Sequence, residues 1–185
     1  MGRTTAKSLL LIKKFADEGA IEGGFRRACE RLPSEDRLRI NRLRPEDWVD
    51  YGFYFRILEA GAAAAGRDPL RFAEEYGIYQ AEHDTKLLHR TAMRLGGPGI
   101  MIMEADQIWH RYHDTGHLKI YDVLPTSAKA RVEELEGGGP LLCAVLQGFI
   151  TTGLRLTGAR DVFVAHSLCR FRGDPGCEYT GNWKK

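Results

Sequence analysis

No stretch of this 185-residue sequence stays apolar for long enough to cross a bilayer. Leu9–Ile12 and Leu141–Leu146 are among the longest runs, and a spanning helix needs about 20 residues. An excess of one charge is missing too. Twenty-seven Lys and Arg face 25 Asp and Glu, for a formal net charge of +2, which gives no reason to expect nucleic acid or an anionic membrane as the main partner. A leader is not evident: the pair Lys13-Lys14 cuts the first apolar run short, Asp17 and Glu18 follow, and Ala6 stands where a myristoylation start wants Ser or Thr. The expected location is the cytoplasm, where the four cysteines stay reduced. P-loop, dinucleotide fingerprint and nucleophile elbow are all absent, and the glycine clusters at 96–99 and 137–140 lack the flanking pattern that would make them phosphate loops. There is no internal repeat and no low-complexity linker. What remains is 43% hydrophobic and 28% charged, over a length that suits one domain with a sizeable core.

Punctuation by glycine and proline divides the chain. Residues 6–31 read as two short helices separated near Gly19 and Gly23-Gly24. The arginines from Arg26 to Arg44 are interleaved with Glu30, Glu35 and Asp36 and read as a solvated face. Pro45, followed by Glu46 and Asp47, suits a helix start, and Trp48, Tyr51, Phe55, Leu58 and Ala62 recur at helical spacing. Asp68-Pro69 opens a longer helix, expected to run to about Met93, and another helix is expected over Ile100–His113, with Gly116 as its stop. Alternation then marks strands at 117–123 and 129–135. Pro140 opens an apolar helix to Leu156, and two more strands flank the turn Gly173-Asp174-Pro175-Gly176. Helices first, then strands around one buried helix, predict a mixed α+β fold: N-terminal helices packed on a small, mainly antiparallel sheet. The expected division is a helical extension over 1–44 and the main domain over 45–185.

Three of the four cysteines fall after residue 140. Cys143 lies in the first turn of a helix, where partial positive charge favours a thiolate. Cys169 and Cys177 flank the Gly173–Gly176 turn, and His166 stands three residues before Cys169. Three thiolates and an imidazole suit tetrahedral Zn²⁺; three reduced core cysteines and a surface histidine are the alternative. In a regular strand His166 and Cys169 face opposite ways, so a shared site demands a bulge or a wider loop. His110, His113 and His117 form a second group, with a helix-end or dimer-contact placement expected and a metal or haem role as the alternative. Trp48, Tyr51, Phe55, Trp109, Tyr112 and Phe149 are core residues by type, and candidates for lining a ligand pocket.

The segments Leu142-Cys143-Ala144, Gly148-Phe149, Ala159-Arg160-Asp161-Val162 and Ser167 through Tyr179 resemble the signature end of the 4-vinyl reductase domain family. Residues 109–116 also resemble related proteins of myxobacteria. The resemblance implies the fold of the vesicle-tethering (TRAPP) small subunits and of the sensory domains of phenol-responsive activators. It also implies dimerisation and a small apolar or aromatic ligand held between helices and sheet. In the phenol sensors it implies zinc on three cysteines and a glutamate. Those cysteines correspond to Cys143, Cys169 and Cys177, with His166 in the glutamate's place.

Three functions are then weighed. The first is a non-catalytic sensing domain with a structural zinc site, passing its signal through a homodimer or a partner protein. The second is a protein-interaction scaffold of the vesicle-tethering type. The third, implied by the family name alone, is an auxiliary role in tetrapyrrole vinyl reduction. A homodimer is expected because the early helices carry many large aromatics.

Overall fold

The computed structural model of the protein describes residues 2–87 and 96–184. Strand β1 (Arg3–Thr5) leads into α1 (Ala6–Phe15), which relaxes into a wide turn over Ala16–Ala20 where Gly19 adopts a φ of 115°. Helices α2 (Phe25–Cys29) and α3 (Ser34–Ile40) are short. Strand β2 (Trp48–Asp50) pairs antiparallel with β1, with Thr4 opposite Val49.

The helix expected from Pro45 begins instead at Tyr51, as α4 (Tyr51–Ala65). The reason is local and chemical. The Asp50 side chain caps the helix by accepting from the Phe53 N–H at 2.8 Å, while the strand Trp48–Asp50 is recruited into pairing with β1. Gly66, at a φ of 65°, closes α4 in a left-handed cap. Helix α5 (Pro69–Leu87) is opened by Asp68, whose carboxylate accepts from the N–H groups of Leu70 and Arg71. Its expected continuation to Met93 lies outside the described residues. Helix α6 (Pro98–His110) is shorter than anticipated and leaves Tyr112 and His113 in the segment that follows.

The last third is a four-stranded antiparallel sheet, β3 (His117–Leu124), β4 (Ser127–Glu133), β5 (Arg160–Leu168) and β6 (Cys177–Lys184), in the order β3-β4-β6-β5. Helix α7 (Pro140–Leu156) lies between the second and third of these strands in sequence and packs on β5 and β6. Mixed α+β is thus the observed class.

Helix α7 also joins the two halves of the molecule. It crosses α5 at backbone contact: a Cβ on Gly77 would fall 2.0 Å from the Val145 carbonyl oxygen, and one on Gly148 would fall 2.1 Å from that of Glu74. Only glycine permits that approach, so α5 and α7 behave as one unit. The aromatics of the early helices turn inward within a single chain. Tyr51, Phe53, Tyr54, Phe72 and Tyr76 are all buried, in one core continuous from Ala6 to Trp183. Among the described residues, no helix is long and apolar enough to cross a membrane.

Candidate functional site

Two places concentrate chemistry. The first is a cavity of about 80 Å³ at the meeting of the helical layer with α7 and the sheet. Tyr54 and Gln80 reach it from α4 and α5, Ala105 and Trp109 from α6, Phe149 from α7, and Tyr179 from β6. Its wall is almost wholly apolar, and among the described residues His113 is its one imidazole.

Pairing with the chain's N-terminal segment is what places His113 there. Thr4 bridges His113 in antiparallel fashion, the Thr5 N–H donates to the Tyr112 carbonyl at 3.0 Å, and the Asp114 N–H donates to that of Arg3 at 3.2 Å. Arg3 then clasps the Asp114 carboxylate through its Nε at 2.7 Å. Residues 112–114 are thereby stitched alongside β1. The Trp109 indole N–H donates to the Thr115 carbonyl and shuts the turn. The His113 ring lies over Trp109 with centroids 4.1 Å apart, and its Nδ1 is hydrogen-bonded to the Tyr51 hydroxyl at 2.8 Å. Burial pushes the His113 pKa down to about 3, against a smaller opposing pull from Asp114, so the ring is neutral at physiological pH. Burial likewise raises Tyr51 well above the ordinary phenol range, and its hydroxyl keeps its proton.

Of the six residues expected to line a pocket, Trp109, Tyr112 and Phe149 do. Tyr51 acts one step back, through His113. Trp48 is more than a third exposed on β2, and Phe55 stacks on Tyr51 while packing over Gly139. Sequence reasoning misses His113 as a pocket residue; the dense His110–His117 stretch is its only signal.

The second place is the thiol group. Cys143, Cys169 and Cys177 are buried, and their sulfurs and a ring nitrogen of His166 all lie within 4.8 Å of one another. The bulge that the spacing demands is present. Pairing of β5 with β6 shifts between His166, opposite Tyr179, and Leu168, opposite Glu178, so Ser167 is the extra residue. Asp174 accepts from the Cys169 N–H at 2.7 Å and fixes the turn. The Cys143 and Cys177 sulfurs are 3.6 Å apart. The Cys143 thiol, hydrogen-bonded to Cys177, holds the latter well below the ordinary thiol range against the opposing effect of burial, with His166 and a backbone N–H at Arg170 helping; the reciprocal effect and burial raise Cys143. His166 stacks on Tyr179 and its Nε2 is buried without a hydrogen-bond partner. These four donors could close around a metal ion; a buried thiol pair sharing one proton is the other chemistry the geometry supports.

No family model matches the chain, and no curated protein matches its sequence. Solved structures do match its shape. An H-NOX protein from S. oneidensis in its Fe(II)NO ligation state superposes with a TM-score of 0.73 at 10% identity, covering 98% of this chain and 99% of that one. A mutant of T. tengcongensis H-NOX gives 0.70 at 13% identity, with 96% of each chain covered. A structure concerned with heme distortion in the H-NOX family gives 0.68 at 14% identity, covering 95% and 92%. The chain has the H-NOX fold.

Two expectations are corrected by this. The resemblance to the 4-vinyl reductase domain and the vesicle-tethering subunits does not hold. It rested on short motifs at 109–116 and between Leu142 and Tyr179, whereas the H-NOX match covers 98% of the chain. The expected Zn²⁺ cofactor falls with it. It rested on the thiol grouping together with the phenol-sensor pattern, and the neighbouring structures are described with Fe(II) and heme. Without that support, the burial of the three cysteines is met by the reading of reduced core thiols, with the Cys143 and Cys177 thiols hydrogen-bonded to each other.

Proposed function

We propose that this chain is a non-catalytic sensing domain that takes a small, uncharged, apolar molecule into the cavity beside His113 and reports it to a partner protein. The observation that carries the reading is the apolar cavity containing a single buried, neutral imidazole. An apolar cavity of about 150 Å³ stays dry and accepts benzene or xenon, so about 80 Å³ suits a guest smaller than a benzene ring. Burial supplies the affinity, at roughly 25 cal/mol per Å² before ordering costs. Because the wall draws on the helical layer, on α7 and on the sheet, a guest changes how these three pack. A ligand acts as a signal only through such a difference between two states.

Heme, named with the neighbouring structures, meets one requirement here and fails two. A neutral imidazole is the form that ligates iron, and His113 supplies it. Sites for ligands and cofactors run to roughly 300–1,000 Å³, several times the space present. The one cation among the described lining residues, Lys129, is paired with Asp122 at 3.1 Å and is not free to meet heme carboxylates. The cavity as it stands does not accept heme.

Two titrations test the proposal. Dissolved xenon, followed by ¹²⁹Xe NMR, should give a saturable shift that Ala105→Phe, which fills the cavity from α6, removes. Hemin should give no stoichiometric Soret band. A Soret band at one hemin per chain that is lost in His113→Ala would replace direct binding with a heme reading. Absence of saturable xenon binding would remove the cavity as a ligand site.

A further inference from the structure

Asp106 and His110, one turn apart on α6, converge with His117, the first residue of β3. His110 Nε2 lies 3.3 Å from His117 Nδ1 and 3.6 Å from Asp106 Oδ2, and His117 Nδ1 lies 3.5 Å from that same Asp106 Oδ2. We propose that these three side chains form a surface site for a late first-row divalent ion, such as Ni²⁺ or Co²⁺, that clamps the end of α6 to β3.

The triangle of donor atoms has the size an ion requires. With metal–ligand bonds of about 2.1 Å, ligand angles between about 90° and 109° place neighbouring donors roughly 3.0–3.4 Å apart. Closing the longest edge therefore needs a shift of only tenths of an ångström. Each ring presents the required lone pair when neutral, with its proton on the other nitrogen: Nδ1 for His110 and Nε2 for His117. The carboxylate is aimed in advance, since Asp106 Oδ1 accepts the Leu118 N–H at 3.1 Å. Two imidazoles and one carboxylate suit nickel, cobalt or copper over magnesium and calcium, which take oxygen ligands. Three protein ligands on a half-exposed surface leave coordination positions for water or a small anion.

The fold explains why the third neighbouring histidine is not a ligand. His113 is drawn inward by its pairing with Thr4, while His110 and His117 stay outside. An ion bridging 106, 110 and 117 would close the loop that carries His113, but its binding does not depend on whether the cavity takes a ligand.

The test uses tag-free protein and the metals alone. Calorimetry with Ni²⁺ should show one ion per chain, with the dissociation constant raised about 100-fold or more by His110→Ala or His117→Ala and about tenfold by Asp106→Asn. Since all three side chains are exposed, these variants should keep the wild-type circular dichroism; His110→Gln serves where the alanine does not. Co²⁺ spectra separate this site from the buried thiols: the expected bands are weak and visible, without intense near-ultraviolet thiolate charge transfer. Binding unchanged in both histidine variants, binding carried wholly by thiolate bands, or no binding by the wild type overturns the proposal.

Discussion

Replacing His113 by Phe should flatten the pH dependence of stability between pH 5 and pH 7. In the folded protein burial lowers the His113 pKa from 6.5 to about 3. Between those values the unfolded chain binds the proton and the folded chain does not, so stability rises with pH. The contribution is complete above about pH 6.5 and drains away as pH falls toward 3. Over the whole interval, about 3.5 units at about 1.36 kcal/mol each come to about 5 kcal/mol; between pH 7 and pH 5 the change is about 2 kcal/mol. Asp36, Asp50, Asp114 and Glu178 are also held below the ordinary carboxylate range. Their stabilisation is present above the unfolded carboxylate pKa of about 4 and is lost below it, outside this window. Urea denaturation at pH 5 and pH 7 reads the difference directly. Wild type should lose about 2 kcal/mol more than His113→Phe on going to pH 5, whatever the variant's absolute stability with the Tyr51 hydroxyl left unpaired; the slope from the Cys177 thiol, also held below its ordinary range, is common to both proteins. Equal slopes in the two proteins would refute the burial of a neutral His113.

Four further substitutions, at three positions, probe the frame. Gly148→Ala places a methyl group against the Glu74 backbone and should destabilise the fold by about 2–3 kcal/mol as α5 and α7 are forced apart, measured by denaturant midpoint at constant slope. Arg56→Ala strips the two hydrogen bonds, 2.7 and 2.9 Å, from the buried Asp36 carboxylate and should cost about 2 kcal/mol. Restoring charge alone with Arg56→Lys should recover only part of that, because the paired geometry is lost. Trp109→Ala, which empties the floor of the cavity and frees the Thr115 carbonyl, should cost about 3–5 kcal/mol by thermal or chemical unfolding.

Elements whose boundaries are written in local chemistry were legible in the sequence. A Gly-Pro pair opened α7, alternation marked β3 and β4, and Asp68 announced α5. The start of α4 was not, because Trp48 and Val49 fit a helical spacing as well as a strand, and only β1, more than forty residues earlier, decides between them. The same cause hid the site's central residue. His113 is inside because Thr4 pairs with it, a contact no local pattern encodes. The grouping of Cys143, His166, Cys169 and Cys177 was legible together with the bulge it required. The zinc reading leaned on a borrowed pattern as well as on those four residues, and a few motif positions at one end of a chain constrain its fold far less than the arrangement of all its helices.

The most direct measurement of the central claim is diffraction from crystals of the protein held under xenon. A single xenon atom should appear among Trp109, Tyr112, Phe149 and His113, and should be absent from Ala105→Phe crystals treated identically. Xenon bound elsewhere only, or a cavity that stays empty under pressure, would contradict the reading of this fold as a receptor for a small apolar molecule.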